Sequence, residues 1–205
     1  MEWELKQRTA LLIVDVQQDF CSAEGQMGQY GVDLSAIDAA VDQMERLINK
    51  AHEHHVPVVF IFLSTQPATD SRAMKRWYAR QGMDGEQAVA LCRQDSFGAE
   101  PYRLVPAEQD YVVTKQRYSA FVGTNLELLL QQLQVETLIV AGVTTECCVD
   151  STVRDGFMKD YEVVVVDDAC AAYEQDVHQA ALKILGLNFA TIMQTDEVIS
   201  NWNGA

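Results

Sequence analysis

The chain is poor in positive charge. Its 205 residues hold 15 Lys and Arg against 30 Asp and Glu, a formal net charge of −15. Nucleic acid and anionic membrane surfaces are therefore excluded as expected partners, because both present phosphate to a protein that repels it. No apolar run is long enough to span a bilayer, and the opening segment MEWELKQRTA is too polar for a signal peptide. Cysteine is sparse and odd in number: Cys21, Cys92, Cys147, Cys148 and Cys170. Without a secretory signal, that count predicts free thiols in a reducing compartment, with the cytoplasm as default. Histidine is sparser still, at 4, and His52, His54 and His55 stand together at the end of a helical pattern. Imidazolium complements the dipole at a helix C-terminus, so that cluster reads as a solvated helix end and no metal is expected.

Several chemical signatures are missing too. The sequence has no G-x-S-x-G, no phosphate loop ending in Gly-Lys-Ser/Thr, no H-E-x-x-H and no paired C-x-x-C. Gly25 and Gly28 lack the third glycine and the strand-to-helix setting of a dinucleotide fingerprint. Neither a repeat nor a linker divides the chain, and 48% apolar with 22% charged residues is ordinary for a globular protein. One domain over residues 1–205 is the simplest organisation.

What is present is an alternation of apolar runs with helical spacing. Buried strands are expected at 10–16, 57–63, 110–114, 138–141, 162–166 and 190–193. Residues 17–33, rich in Gly and polar side chains, read as a loop. Residues 35–55 place Ile37, Ala40, Val41, Met44, Leu47, Ile48 and Ala51 at spacings of three and four, an amphipathic helix capped by Asp33 or Ser35. Thr124 and Glu127 match a capping box opening a helix with Leu126, Leu129, Leu130 and Leu133 on one side. A further helix is expected over 176–185, with His178 inside it. The predicted fold is a three-layer α/β/α sandwich around a mostly parallel, doubly wound sheet. The long stretch 64–110 carries no strong β signal and only short helices near 72–80 and 86–92, the profile of a lid or substrate wall. Trp77, Tyr78 and Phe97 are its pocket-lining candidates, although aromatic residues more often pack.

Two charged residues that are costly to bury, and a pair of thiols, stand at the ends of apolar runs. Asp15 ends the first apolar run, Lys115 follows the third, and Cys147 and Cys148 follow the fourth within LIVAGVTTECCVDSTVRDGF. In a parallel sheet these carboxyl ends share one edge, where open α/β folds place ligands. A thiol in a strand-to-helix turn faces free N–H groups and the positive end of the helix dipole, which favour thiolate and can also hold an oxyanion. A nearby ammonium favours the same thiolate and fixes a carboxylate able to accept its proton. Spacing alone leaves the choice between Cys147 and Cys148 open.

ALLIVDVQQDF around Asp15, TKQRYSAFVGTNLE around Lys115, and AGVTTECCVDSTVRDGF with VVVVDDACA behind it resemble the isochorismatase-like cysteine hydrolases, in the family's order and over nearly the whole chain. The third is the most specific, since G-[VI]-x-T-x-x-C-V-x-[ST]-T-x-R-D reads here from Gly142 to Asp155. The resemblance implies a Cys148–Asp15–Lys115 triad, with Cys147 at a variable position. It also implies a cis peptide before Thr144 and an oxyanion hole made by the N–H groups of Thr144 and Cys148. The metal motif of the family's nicotinamidases is missing from LSTQPATDSRAMKRW, which has no histidine, and isochorismatases proper lack the nucleophilic cysteine. K-x-R-Y-S-A-F is similar to the segment of the ureido and carbamoyl hydrolases.

The expected activity is therefore cofactor-independent, metal-free hydrolysis of a C–N bond in a small amide or ureido compound through a thioester. The alternatives are an ester or vinyl ether substrate on the same scaffold, or a catalytically idle binding member. Phe20, Gln17, Gln18, Arg117 and Tyr118 flank the trio as substrate-contact candidates; an Arg there can hold a carboxylate bidentately. Homo-oligomers, dimer or tetramer, are usual in the family. A fast-alkylating, low-pKa Cys148 is expected.

Overall fold

The computed structural model describes residues 8–203, so most of the polar opening segment lies outside the described residues. Within them the elements are β1 (Thr9–Val14), α1 (Gln18–Cys21), α2 (Gln26–Gln29), α3 (Ser35–Glu53), β2 (Val58–Leu63), α4 (Arg72–Arg80), α5 (Gly85–Ala88), β3 (Tyr111–Lys115), α6 (Leu126–Gln132), β4 (Thr137–Val143), α7 (Asp150–Phe157), β5 (Glu162–Ala171), α8 (Gln175–Asn188), β6 (Thr191–Met193) and α9 (Thr195–Asn203). A 3-10 turn spans Phe97–Ala99, and a π-helical turn spans Thr145–Val149.

The strands form one sheet in the order β3-β2-β1-β4-β5-β6, and every pairing is parallel. The sheet is thus fully parallel, where the sequence predicted mostly so. β1 is buried along its whole length because both faces are covered. Leu11 and Ile13 point to the layer that holds α3 and α9, while Leu12 and Val14 point to the layer of α6, α7 and α8. In α3 the seven apolar residues named above are all buried, and a larger one such as Leu47 contributes about 1.5–3 kcal/mol by leaving water. The chain leaves β1 for one layer and β4 for the other, so the two neighbouring strands part at their carboxyl ends. That is the topological switch point, where such sheets open a crevice.

Gly142 lets β1 and β4 lie close there. Its φ is +135°, and a Cβ at this position would stand 2.2 Å from the Val14 carbonyl oxygen. Only glycine meets both demands.

Four local expectations are corrected. The segment 17–33 is not all loop, since α1 and α2 each make a turn of helix. Thr124 does not cap α6 as a capping box: Asn125 holds the N-cap position, and the Thr124 hydroxyl donates to the Ala120 carbonyl at 2.6 Å while accepting from the Leu126 amide at 3.2 Å. Glu127 instead pairs with Lys159 at 2.6 Å. β5 runs on to Ala171, and its register against β4 jumps between Val140 and Gly142. Asp167 and Asp168 sit in that irregularity and are fully employed: Asp168 Oδ1 accepts from the amide and hydroxyl of Thr195, both at 2.8 Å, and so ties down α9. The sequence reading contained no α9.

Candidate active site

Asp15 leaves β1 with φ +55°, a left-handed conformation that short polar side chains tolerate best. Its amide donates to the Ile61 carbonyl at 2.9 Å, which fixes the turn to β2. Lys115 comes from the edge strand β3 and buries its whole stem. Asp15 and Lys115 are 0% and 1% exposed, and Lys115 Nζ lies 2.7 Å from Asp15 Oδ2. The same ammonium donates to Cys148 Sγ at 3.3 Å and to the Arg117 carbonyl at 3.0 Å. Cys148 arrives from the π-helical turn after β4. The Cys147 and Val149 amides both donate to the Thr144 carbonyl, at 3.1 and 3.2 Å, and the Val143–Thr144 peptide is cis. The side chains of Asp15 and Cys148, distant in sequence, therefore meet at the ammonium of Lys115.

The electrostatics differ from the expectation for the thiol. Contact with the Cys147 thiol, burial and the Asp15 charge push the Cys148 pKa well above that of an ordinary cysteine, and Lys115 offsets only part of this. The expected low pKa of Cys148 is thus corrected: the ammonium does not overcome the neighbouring Cys147 thiol, burial and the carboxylate. Burial raises the Asp15 pKa, with Lys115 and the Cys148 thiol pulling the other way. Burial opposes the charge on Lys115, but Asp15 and Cys148 outweigh it and hold its pKa above the usual lysine range. Neither Asp15 oxygen has an aligned hydrogen-bond donor among the described residues, despite the ion pair. The trio thus sets a carboxyl group beside an ammonium and a thiol held in its neutral form, with one carboxyl oxygen turned to the ammonium.

A cavity of about 500 Å³ opens over Cys148, whereas Asp15 and Lys115 lie behind it. Of the predicted contacts, Phe20, Arg117, Tyr118 and Thr144 line this space. Gln17 does not. It is fully buried, and its side chain donates to the Leu63 and Ala99 carbonyls at 2.9 Å and accepts from the Leu63 amide at 2.8 Å, so its polar atoms are spent on structure. Gln18 likewise donates to the Pro101 carbonyl at 3.0 Å. Tyr78 reaches the cavity, with its hydroxyl 2.8 Å from that of Tyr118, while Trp77 and Phe97 face outward. The wall comes mainly from α2, α4 and the segment after α4, as the profile of 64–110 suggested. Met27, Met74, Met83 and Tyr173 also line it; no periodicity marked them.

Behind the turn lies a buried relay the sequence did not signal. The Thr145 hydroxyl is 2.8 Å from His178 Nδ1, and His178 Nε2 is 3.1 Å from Asp167 Oδ1. With Nε2 donating to the carboxylate, Nδ1 accepts from Thr145 and α8 is tied to the turn that carries Cys148. Elsewhere His52 pairs with Asp110 at 2.7 Å and His54 contacts Asn203 at 3.1 Å. Among the described residues no group of three or more His, Cys, Asp or Glu side chains is placed to hold a metal, and no helix is long and apolar enough to cross a membrane.

Residues 9–197 match the Isochorismatase domain family. The ureidoacrylate amidohydrolase RutB of Serratia proteamaculans is 31% identical over 203 residues, covering 93% of this chain and 81% of that protein. The crystal structure of a cysteine hydrolase from Pseudomonas syringae pv. phaseolicola superposes with a TM-score of 0.84 over 99% of this chain and 96% of that one, at 24% identity, a likeness of fold. N-carbamoylsarcosine amidase from Thermoplasma acidophilum, 25% identical, has a TM-score of 0.72 over 93% of this chain and 98% of that one. A family match over nearly the whole described chain, on the same parallel sheet, places this protein in the isochorismatase family of hydrolases.

Proposed function

We propose that the protein is a cysteine amidohydrolase that cleaves a C–N bond of an amide or ureido compound. The observation that carries this reading is Lys115 Nζ, 2.7 Å from Asp15 and 3.3 Å from a Cys148 thiol at the floor of the cavity. A neutral thiol needs a base in the reaction itself, and Asp15 is that base. The Cys148 proton passes to Asp15 as sulfur attacks the carbonyl carbon, and the N–H groups of Thr144 and Cys148 hold the oxyanion. Collapse breaks the C–N bond, and the proton on Asp15 goes to the departing nitrogen. Water then gives a proton to Asp15 while its oxygen attacks the thioester; the C–S bond breaks and the proton returns to sulfur. Lys115 fixes the carboxylate and offsets negative charge throughout. The similar proteins named for amide hydrolysis support this choice of bond.

Ammonia release by wild type and Cys148→Ala over a panel of primary amides, ureides and N-carbamoyl amino acids tests the reading. Turnover of at least one class, lost in the variant while its circular dichroism is unchanged, is the expected result. Release by Cys148→Ala at the wild-type rate overturns it.

A further inference from the structure

We infer that the substrate carries an uncharged, apolar body beside its scissile amide or ureide; this rests on the hydrolase reading above and narrows it. The cavity's volume of about 500 Å³ lies in the range that encloses drug-sized ligands. Its interior is apolar, formed by buried or half-buried Phe20, Met27, Met74, Val89, Leu91 and Tyr173. Unbranched Met side chains adapt to irregular apolar shapes and specify no polar group.

The charges round the cavity oppose an acidic substrate. Arg117 is the single cation among the lining residues, and its guanidinium already donates to the Gln116 and Thr69 carbonyls at 2.6 and 3.2 Å. Against it stand Glu146 and Asp84, neither of which has a cationic partner among the described residues. Glu146 accepts from the Thr144 hydroxyl at 2.9 Å, and Asp84 accepts from the Glu86 and Gln87 amides that open α5. Asp70 is neutralised by Arg93, at 2.6 Å, while Lys75, 3.2 Å from Asp70, is taken up by Glu86, at 2.5 Å. The local sum is therefore negative, in a protein whose net charge is −15. A substrate carboxylate meets repulsion, while an ammonium loses hydration against an apolar interior. The substrate class that fits is a neutral amide or ureide with an aliphatic or aromatic tail.

The test is a series of linear primary amides from propionamide to octanamide, each with an ω-carboxylate and an ω-ammonium twin. Ammonia release by wild type and calorimetric binding to Cys148→Ala are both measured. In each, the neutral amides should gain about 4-fold per added methylene, the equivalent of ~0.8 kcal/mol per buried CH2. The carboxylate twins should fall about fivefold below them at low ionic strength and converge as salt rises. Asp84→Asn keeps the oxygen that caps α5 and should narrow the gap between the neutral and carboxylate amides. A charged twin that equals its neutral amide at low salt, a flat response to length, or no binding to Cys148→Ala each overturns the substrate class. Neutral amides that bind in the expected order but release no ammonia with wild type would instead leave the class standing and remove the hydrolase reading. Carboxylates turned over preferentially, with Cys148→Ala dead, would do the reverse.

Discussion

Replacing Lys115 with methionine keeps most of the buried stem and removes only the charge. Asp15, 0% exposed and 2.7 Å from that charge, is then left buried with no counter-ion. Breaking a buried pair from one side costs about 3–5 kcal/mol. The carboxyl's pKa, which burial already raises, climbs further, and this fixes how the cost depends on pH. Below the unfolded carboxylate pKa of about 4 both states are protonated and the penalty vanishes; above it the folded state holds a proton that the unfolded state has lost. Stability of Lys115→Met should therefore fall with rising pH, by about 1.4 kcal/mol per unit, over about two to four units above pH 4, and then level off. Denaturant midpoints at half-unit steps from pH 4 to 8 give this curve directly. Adding Asp15→Asn, whose side chain tolerates the +55° φ at that position, should abolish the slope and recover about 2 kcal/mol or more at neutral pH, because the uncompensated charge is gone. Both variants should be inactive. A Lys115→Met protein within about 1 kcal/mol of wild type at pH 7, with no slope, would refute the buried-pair reasoning.

The other expectations concern the thiol, the base, the relay and the strand contact. With its pKa raised, Cys148 should alkylate more slowly than free cysteine at pH 7 and accelerate only above the ordinary thiol pKa; mapped iodoacetamide labelling with Cys147 resolved separately would contradict this if Cys148 reacted first at neutral pH. Asp15→Asn should lower kcat/KM by about 10³-fold, within the usual range for a lost general base. In wild type the acid limb of kcat/KM should lie above the normal carboxylate range, because a raised Asp15 pKa removes the base earlier as pH falls; a limb at pH 4 or below would exclude Asp15 as that base. Thr145→Val leaves buried His178 Nδ1 without its partner and should cost about 1–3 kcal/mol, with kcat lowered more than KM is raised. Gly142→Ala would place a methyl 2.2 Å from the Val14 oxygen and should destabilise by about 3 kcal/mol or more, read as a lower melting temperature with activity lost in parallel.

The strands were legible because a parallel sheet covered on both faces writes itself as continuous apolar runs; β1, β2 and β4 follow the runs at 10–16, 57–63 and 138–141 closely. The convergence of Asp15, Lys115 and the Cys147–Cys148 pair followed from the same topology, since strand ends in such a sheet share an edge, whereas the choice of Cys148 rested on the family resemblance. What stayed hidden depends on neighbours distant in sequence. Gln17 beside Asp15 looks like a substrate contact until the Leu63 and Ala99 backbone groups that consume it are in view. The sign of the Cys148 shift is set by burial, by Asp15 and by the adjacent Cys147, and a dipole argument from the turn alone gives the opposite answer. α9 buries only Thr195, Val198 and Trp202, too few apolar positions for periodicity to register. The Asp167–Asp168 pair appeared as a strand end, whereas it serves as the anchor for α8 and α9.

Part of the cavity wall stands apart from the core that carries the site beneath it. Met74 and Met83 belong to neither layer of the core, while Asp15 and Lys115 are buried at strand ends and Cys148 in the turn after β4. Substitutions outside the core usually change stability by less than about 0.5 kcal/mol. These two positions can therefore change by mutation and reshape the wall without unfolding the scaffold. For the same reason, a library randomised at Met74 and Met83 should yield folded proteins with altered chain-length preference, making these positions the natural handles for redirecting the enzyme.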